Sequence, residues 1–286
     1  MIRCFYHKDD FDGICSGAIV KSACCGEPIT MYPITYTDPF PWDDIQKDDE
    51  VYMVDFALQP YEDMAKLDSM CNLIWIDHHK SAIKALKHTR LHRKFTSVNK
   101  AGCELAWMYF YKDSLLPFPT GVRLLGRYDV WDLDHDENVL LFQYGVRAIN
   151  PDIDAVFWTD LLNNKINIDD IVNEGKAILS YLKQYNKNIM KNSSSVTFKG
   201  CLALCCNVPI PSSQTFESKW DDSKYDIMLA FSYIGSDKWI FSIYSTNVDI
   251  DCSEIATEFG GGEHRGAAGF NCDTEMMEAI ISGECS

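Results

Sequence analysis

The chain has 286 residues, 47 % of them hydrophobic and 13 % aromatic, with 42 acidic against 26 basic side chains and a formal net charge of −16. That is enough apolar material for packed cores, the length favours two domains over one, and no run reaches the ~18 to 20 apolar residues of a membrane span. The acidic balance, with no cluster of Lys and Arg, excludes a surface built to follow a long nucleic-acid duplex.

The twelve cysteines are scattered, two pairs are adjacent (Cys24-Cys25 and Cys205-Cys206), and no CxxC spacing occurs. This is the cysteine usage of reduced, buried thiols. The opening MIRCFYHKDD turns acidic within ten residues and has no signal-peptide core. A cytoplasmic location is the expectation.

In chain order, Ile2 to Tyr6 reads as the first strand. It delivers His7, Asp9, Asp10 and Asp12, then Gly13 and a helical segment, ICSGAIVKSACC. The helix dipole favours carboxylates near a helix start, but carboxylates this close repel one another, a conflict that cations resolve. A second strand is expected at Ile29 to Ile34, followed by an irregular, Pro-rich crossover. Val51 to Val54 reads as a third strand ending on Asp55, and Tyr61 to Met70 as a helix. Leu73 to Ile76 is apolar on both faces, as in a parallel sheet, and runs straight into Asp77, His78 and His79.

A lone His-His pair is more often a polar turn than a site. Here an acid or a histidine closes three of the first four strands. That is the sequence form of an open parallel α/β sheet whose ligand crevice lies beyond the strand carboxyl ends. Asp55, Asp77, His78, His79 and the His7 group would then meet in space. Mixed imidazole and carboxylate donors suit manganese, with magnesium, zinc, cobalt or iron as alternatives, and the donors suffice for two ions.

Ala101 to Tyr111 reads as a core helix whose start could approach a ligand, and Gly121 to Arg127 as a helix leading into YDVWDLD. Asp129 is the candidate ligand there, with Asp132, Asp134 and Asp136 as substitutes on spacing. Tyr128 and Trp131 are either a stacking wall or ordinary core. Ile168 to Lys191 has helical spacing, and Asn192 to Ser195 reads as a linker.

Beyond it come three strands (VTFKGCLALCC, YDIMLAFSYI and KWIFSIYST), a helix near Ser253 to Phe259, and a Gly-rich loop from Gly260 to Phe270. The expected division is a parallel-sheet domain over 1–192 and a second, smaller α/β domain over 193–286. In the loop, Gly260, Gly261 and Gly262 allow close backbone approach to a phosphate, and His264 and Arg265 add donors of complementary charge.

Together these segments resemble the DHH phosphoesterases, a family that includes RecJ-type exonucleases, nanoRNases, cyclic-dinucleotide phosphodiesterases and family II pyrophosphatases. HKDDFDG, VDF, DHH and RYDVWD match in order, and GGGEHRGAAG resembles the glycine-rich motif of the DHH-associated substrate domain. Glu263 departs from the commoner four-glycine form. The resemblance implies two ions, usually manganese, held by His7, Asp10, Asp12, Asp55, His78 and Asp129, with Asp55 bridging. Asp9 stays open as an alternative to Asp10.

The resemblance also implies a metal-activated water as nucleophile, charge stabilisation by His79, and Asp77 as the group that orients a histidine. The expected activity is nanoRNase-like hydrolysis of a short oligonucleotide or small phosphorylated nucleotide to mononucleotides, with no membrane partner and a homodimer left open. A 3′-phosphoadenosine 5′-phosphate phosphatase, a cyclic-dinucleotide phosphodiesterase and a polyphosphatase are alternatives within the enzyme class. Outside it stands a catalytically silent nucleotide sensor.

Overall fold

Strand and helix alternate from the first residues: β1 (Ile2–His7), α1 (Phe11–Ala23), β2 (Ile29–Ile34), β3 (Glu50–Val54), α2 (Glu62–Met70), β4 (Asn72–Asp77), α3 (Lys80–Ala85) and β5 (Arg93–Thr96). The structure is a computed structural model describing residues 1–133 and 136–284, with the backbone alone described at Glu263 and His264. The five strands form one parallel sheet in the order β2-β1-β3-β4-β5. Side chains alternate between its faces. Cys4, Val54, Ile74 and Ile76 join one buried core, and Phe5, Val51, Met53, Leu73 and Trp75 join the other. A strand with a core on each side must be apolar throughout, which is why LIWI shows no alternation.

Five helices follow: α4 (Gly102–Tyr111), α5 (Thr120–Asp129), α6 (Glu137–Ile149), α7 (Val156–Leu162) and α8 (Ile168–Ile189). Buried residues of α1, α4, α5, α6 and α7 belong to a single core cluster with one face of the sheet. This places the α4 N-terminus and the end of α5 beside the carboxyl ends of β1, β3 and β4, as the contacts below show. The short elements α3 and β5 and the helices α6 and α7 were not anticipated from sequence. Their apolar periodicity is brief or interrupted by polar residues.

The chain divides into two units, Met1–Ile178 and Leu179–Ser286. The second contains β6 (Ser194–Phe198), β7 (Cys201–Asn207), β8 (Ile227–Gly235), β9 (Lys238–Tyr244), α9 (Cys252–Thr257), β10 (Gly262–His264), β11 (Ala267–Cys272) and α10 (Thr274–Ser282). Its sheet has the order β10-β11-β9-β8-β7-β6. The β7–β8 pairing is parallel and the others are antiparallel. The sheet packs on α9 and α10 through Phe198, Phe241, Phe270, Cys252, Ala256, Met277 and Ile280.

Three local expectations change. VTFKGCLALCC is a hairpin, because Lys199 (φ 50°) and Gly200 (φ 74°) form a two-residue turn with both residues left-handed. Asn192–Ser195 runs from a 3₁₀ turn (Met190–Asn192) into β6, whose polar residues suit an edge strand as well as a linker. The Gly-rich stretch is the hairpin β10–β11, with Gly262 opposite Gly269 and His264 opposite Ala267. A Cβ at Gly261 would lie 2.0 Å from the Gly269 carbonyl oxygen, so close strand approach explains that glycine.

Candidate metal centre

Asp10 caps α1: its Oδ1 accepts from the Gly13 amide at 2.7 Å while Oδ2 meets His7 Nδ1 at 2.9 Å. Burial works against charge on both partners, but their mutual hydrogen bond and attraction outweigh it, raising His7 and lowering Asp10 into an ion pair. A Cβ at Gly13 would stand 2.2 Å from the His7 carbonyl oxygen, so the turn from strand to helix needs glycine there. Asp9 is exposed. Of the two adjacent acids, the structure brings Asp10 into the cluster.

Asp12, in the first turn of α1 and 3 % exposed, accepts from the amides of Gly102 and Cys103 at 2.7 and 2.8 Å. The α4 N-terminus thus anchors a carboxylate supplied by a different helix. A Cβ at Gly102 would lie 2.8 Å from Asp55 Oδ1 and 2.9 Å from Asp12 Oδ2, so the cradle between these acids is open only with glycine.

Asp55 leaves β3 in a left-handed conformation (φ 52°), a region that Asp tolerates better than most residues. Its amide donates to the Ile76 carbonyl at 2.9 Å, and the Trp75 indole donates to the Phe56 carbonyl at 3.0 Å. β4 therefore dictates where β3 turns. Asp77, fully buried at the end of β4, accepts from the His78 and His79 amides at 2.7 and 3.1 Å and meets His79 Nδ1 at 2.7 Å. Burial lowers the pKa of His79, but the charge and hydrogen bond of Asp77 overcome it and raise it to about 9.

His78 is the hub. Its Nε2 lies 3.1 Å from Asp55 Oδ1, 3.2 Å from Asp129 Oδ2 and 3.6 Å from Asp12 Oδ2. Among the described residues, three sets of donors each fall within 4.8 Å: His7, Asp10 and Asp55; Asp12, His78 and Asp129; and Asp55, His78 and His79. Asp55 and His78 each belong to two sets. Burial holds His78 below the usual imidazole value, favouring the neutral ring that a metal requires. Burial also pushes Asp55 and Asp129 well above the carboxylate range, and the charges of Asp12 and Asp10 push them further.

The residues fit a divalent-ion site on two grounds. Asp55 Oδ1, Asp129 Oδ2 and Asp77 Oδ2 are buried with no hydrogen-bond partner, a cost that a cation would offset. The donors mix imidazole nitrogen and carboxylate oxygen, the set that suits manganese and its neighbours. Asp132 and Asp136 are drawn away to Arg127, at 3.0 and 2.8 Å. Asp134 lies outside the described residues. Trp131 is 55 % exposed and meets Tyr128 edge-on, so it forms no part of the core.

The start of α4, which the sequence marks as able to approach a ligand, reaches the centre through the Gly102 and Cys103 amides, but what it meets is the Asp12 carboxylate, a backbone contact that no side-chain pattern signals. Tyr36 packs at a tilt beside His7 and Phe56, with ring centroids 5.8 and 4.6 Å away. It lies two residues past the end of β2, and as neither an acid nor a histidine it gives no strand-end signal.

In the second unit, Arg265 is occupied by its own loop. Its Nε and Nη2 donate to the Val248 carbonyl at 3.1 and 2.6 Å, and Nη1 lies 3.6 Å from Asp251. Gly260 is left-handed (φ 78°), and Gly261 and Gly262 lead into β10. The His264 side chain lies outside the described part.

No protein-family profile matches the chain. An uncharacterized protein of Acanthamoeba polyphaga mimivirus is 28 % identical over 235 residues, 77 % of this chain and 52 % of that protein. The chain thus spans about half the length of that curated relative. Among solved structures, the pGpG-specific phosphodiesterase PggH from Vibrio cholerae aligns over 100 % of this chain and 98 % of its own, at 13 % identity and a TM-score of 0.56. RecJ from Thermus thermophilus in complex with Mn2+ aligns over 98 % of this chain and 51 % of its own, at 13 % identity and a TM-score of 0.56. These likenesses show the fold, and the resemblance to DHH phosphoesterases read from the motifs extends to it. Among the described residues, no helix is long and apolar enough to cross a membrane.

Proposed function

We propose that the chain is a divalent-metal-dependent phosphoesterase of the DHH kind, hydrolysing short oligonucleotides to mononucleotides. The observation that carries this reading is the junction of Asp55 and His78, each shared by two donor sets and surrounded by buried, unpaired carboxylate oxygens. Two manganese ions are the preferred occupants; His7, Asp10 and Asp55 would hold one, and Asp12, His78 and Asp129 the other. Bound there, such ions supply Lewis-acid polarisation of a phosphoryl oxygen and acidify water.

The chain's own residues do the rest. Asp77 fixes the ring of His79 and favours its charged form, which can donate to a phosphoryl oxygen as negative charge grows on it. The α4 amides hold the Asp12 carboxylate in place. Gly260, Gly261, Gly262, His264 and Arg265, in a substrate-binding domain over 193–286, hold the phosphate or terminal nucleotide. The likeness to a pGpG-specific phosphodiesterase along nearly both whole chains supports a dinucleotide-sized substrate, and the net charge of −16 argues against a long duplex. The eleven free cysteines among the described residues favour the reducing cytoplasm.

The test is a substrate panel with manganese, magnesium or cobalt: pApA, short and long single-stranded RNA and DNA, 3′-phosphoadenosine 5′-phosphate, cyclic dinucleotides and polyphosphate. Rapid turnover of pApA to AMP, with long strands cut poorly, is the expected result. Absence of dinucleotide hydrolysis with every metal would overturn the proposal.

A further inference from the structure

Beside the metal centre, within the same unit, lies a pocket of about 270 Å³. Asp10, Phe11 and Ile14 from the start of α1 line it, with Gln143 and Arg147 from α6 and Lys8 from the turn after β1. Gln143 is 5 % exposed, and its Oε1 has no hydrogen-bond partner. An unpaired buried amide oxygen is costly, and a residue needed only to fill that helix face would be apolar. Nothing in the metal centre uses it.

The other walls indicate what would satisfy it. Phe11, 8 % exposed, and Ile14 present apolar surface. Lys8, paired with Asp38 at 2.7 Å, and Arg147, over the Tyr144 ring at 5.3 Å, share the lining with the Asp9 and Asp10 carboxylates, so the walls carry mixed charge. Apolar surface and one unmatched acceptor complement a flat heterocycle with a donor edge, and the acceptor and apolar walls rather than net charge select it. The volume sits just below the ~300 Å³ lower end of ligand pockets, which limits the occupant to a single nucleoside.

We propose that this pocket receives the base of the nucleotide adjoining the scissile phosphate, and that Gln143 accepts a hydrogen bond from its exocyclic amino group. Gln143 is then a specificity-determining residue. The inference rests on the phosphoesterase reading of the metal centre and adds the base to it. A site built to pair a donor discriminates against an analogue that lacks it, because the acceptor is otherwise left unmatched.

The test uses AMP and purine riboside 5′-monophosphate, which differ only by the 6-amino group, titrated calorimetrically into the full-length protein in EDTA. AMP is expected to bind about tenfold or more tightly, and Gln143→Leu to bring the two affinities together. Gln143→Met serves as a second variant should the Leu protein fail to fold. In manganese, either variant should raise KM for pApA about tenfold and leave kcat unchanged. Equal binding of the two nucleotides by the wild type, no binding of either, or an unchanged ratio in a folded variant would overturn the inference. The two readings separate cleanly. Discriminating binding without hydrolysis of pApA sinks the phosphoesterase reading alone, and hydrolysis with indiscriminate binding sinks the base pocket alone.

Discussion

The Gly102 amide donates to Asp12 Oδ2 at 2.7 Å, so the first turn of one helix grips a carboxylate that belongs to another. The same glycine leaves room for Asp55, whose Cβ would be 2.7 Å from any Cβ placed there. Gly102→Ala is therefore expected to push Asp12 and Asp55 apart. Manganese affinity by calorimetry should fall tenfold or more, on the order of 1.4 kcal/mol. Overpacking should cost roughly 1 to 3 kcal/mol in denaturation experiments in EDTA. Wild-type affinity in this variant would show that the cradle is dispensable.

Asp55→Asn should lower manganese-dependent turnover by at least ~100-fold, beyond the ~10- to 100-fold typical of residues that merely support a ligand. Asn keeps the side-chain shape and tolerates the φ of 52°, whereas Ala would add backbone strain. A folded Asp55→Asn protein with full turnover would remove Asp55 from the centre.

The same variant has a pH signature. Burial, then the charges of Asp12, Asp10, Asp129 and Asp77, raise the folded pKa of Asp55 above its unfolded value near ~3.9. Folding therefore favours the protonated form, and the wild type loses stability as pH rises from ~3.9 through the raised folded value. In EDTA at neutral pH, Asp55→Asn should be the more stable protein, and the gap should narrow on acidification toward that range. Saturating manganese should reverse the order. Urea denaturation at several pH values measures all three.

A second carboxylate supplies the opposite sign. Asp49, 3 % exposed, accepts from Arg3 Nε at 2.6 Å and from the Gln46 amide at 2.9 Å. Burial alone would raise its pKa, but these hydrogen bonds lower it overall. Its contribution is present above the unfolded value of ~3.9 and is lost as pH falls through the depressed folded value. Asp49→Asn should cost about 2 kcal/mol at pH 7 and progressively less below pH 4. A constant cost across that range would exclude the ionic component.

Arg265 joins two roles that substitution can separate. Its two hydrogen bonds to the Val248 carbonyl tie down the segment before α9. Arg265→Ala should lower stability by about 1 kcal/mol, and as a phosphate clamp should raise KM for pApA about tenfold. Arg265→Lys keeps the charge but loses the fork and should fall between. Manganese affinity should not change, because the cluster residues belong to the other unit. Lost stability with unchanged KM would leave Arg265 purely structural and direct the search for a clamp to Lys8, Lys80 and Arg127.

Local sequence determined a good deal here. The both-faces-apolar runs of β3 and β4 announced a parallel sheet, and the acids and histidines after β1, β3 and β4 named the candidate centre, because side-chain chemistry and strand burial are written residue by residue. Hydrophobic spacing likewise announced α1, α4 and α8. Period and chemistry leave Asp9 and Asp10 undecided, and favour Asp129 without removing Asp132, Asp134 and Asp136 as substitutes on spacing. Those choices depend on what each carboxylate meets: His7 and the Gly13 amide for Asp10, and Arg127 for Asp132 and Asp136. The grip of the α4 amides on Asp12, the left-handed turn at Asp55 imposed by β4, and the unmatched Gln143 oxygen are relations between segments far apart in sequence. Close packing creates them, and only the tertiary structure decides them.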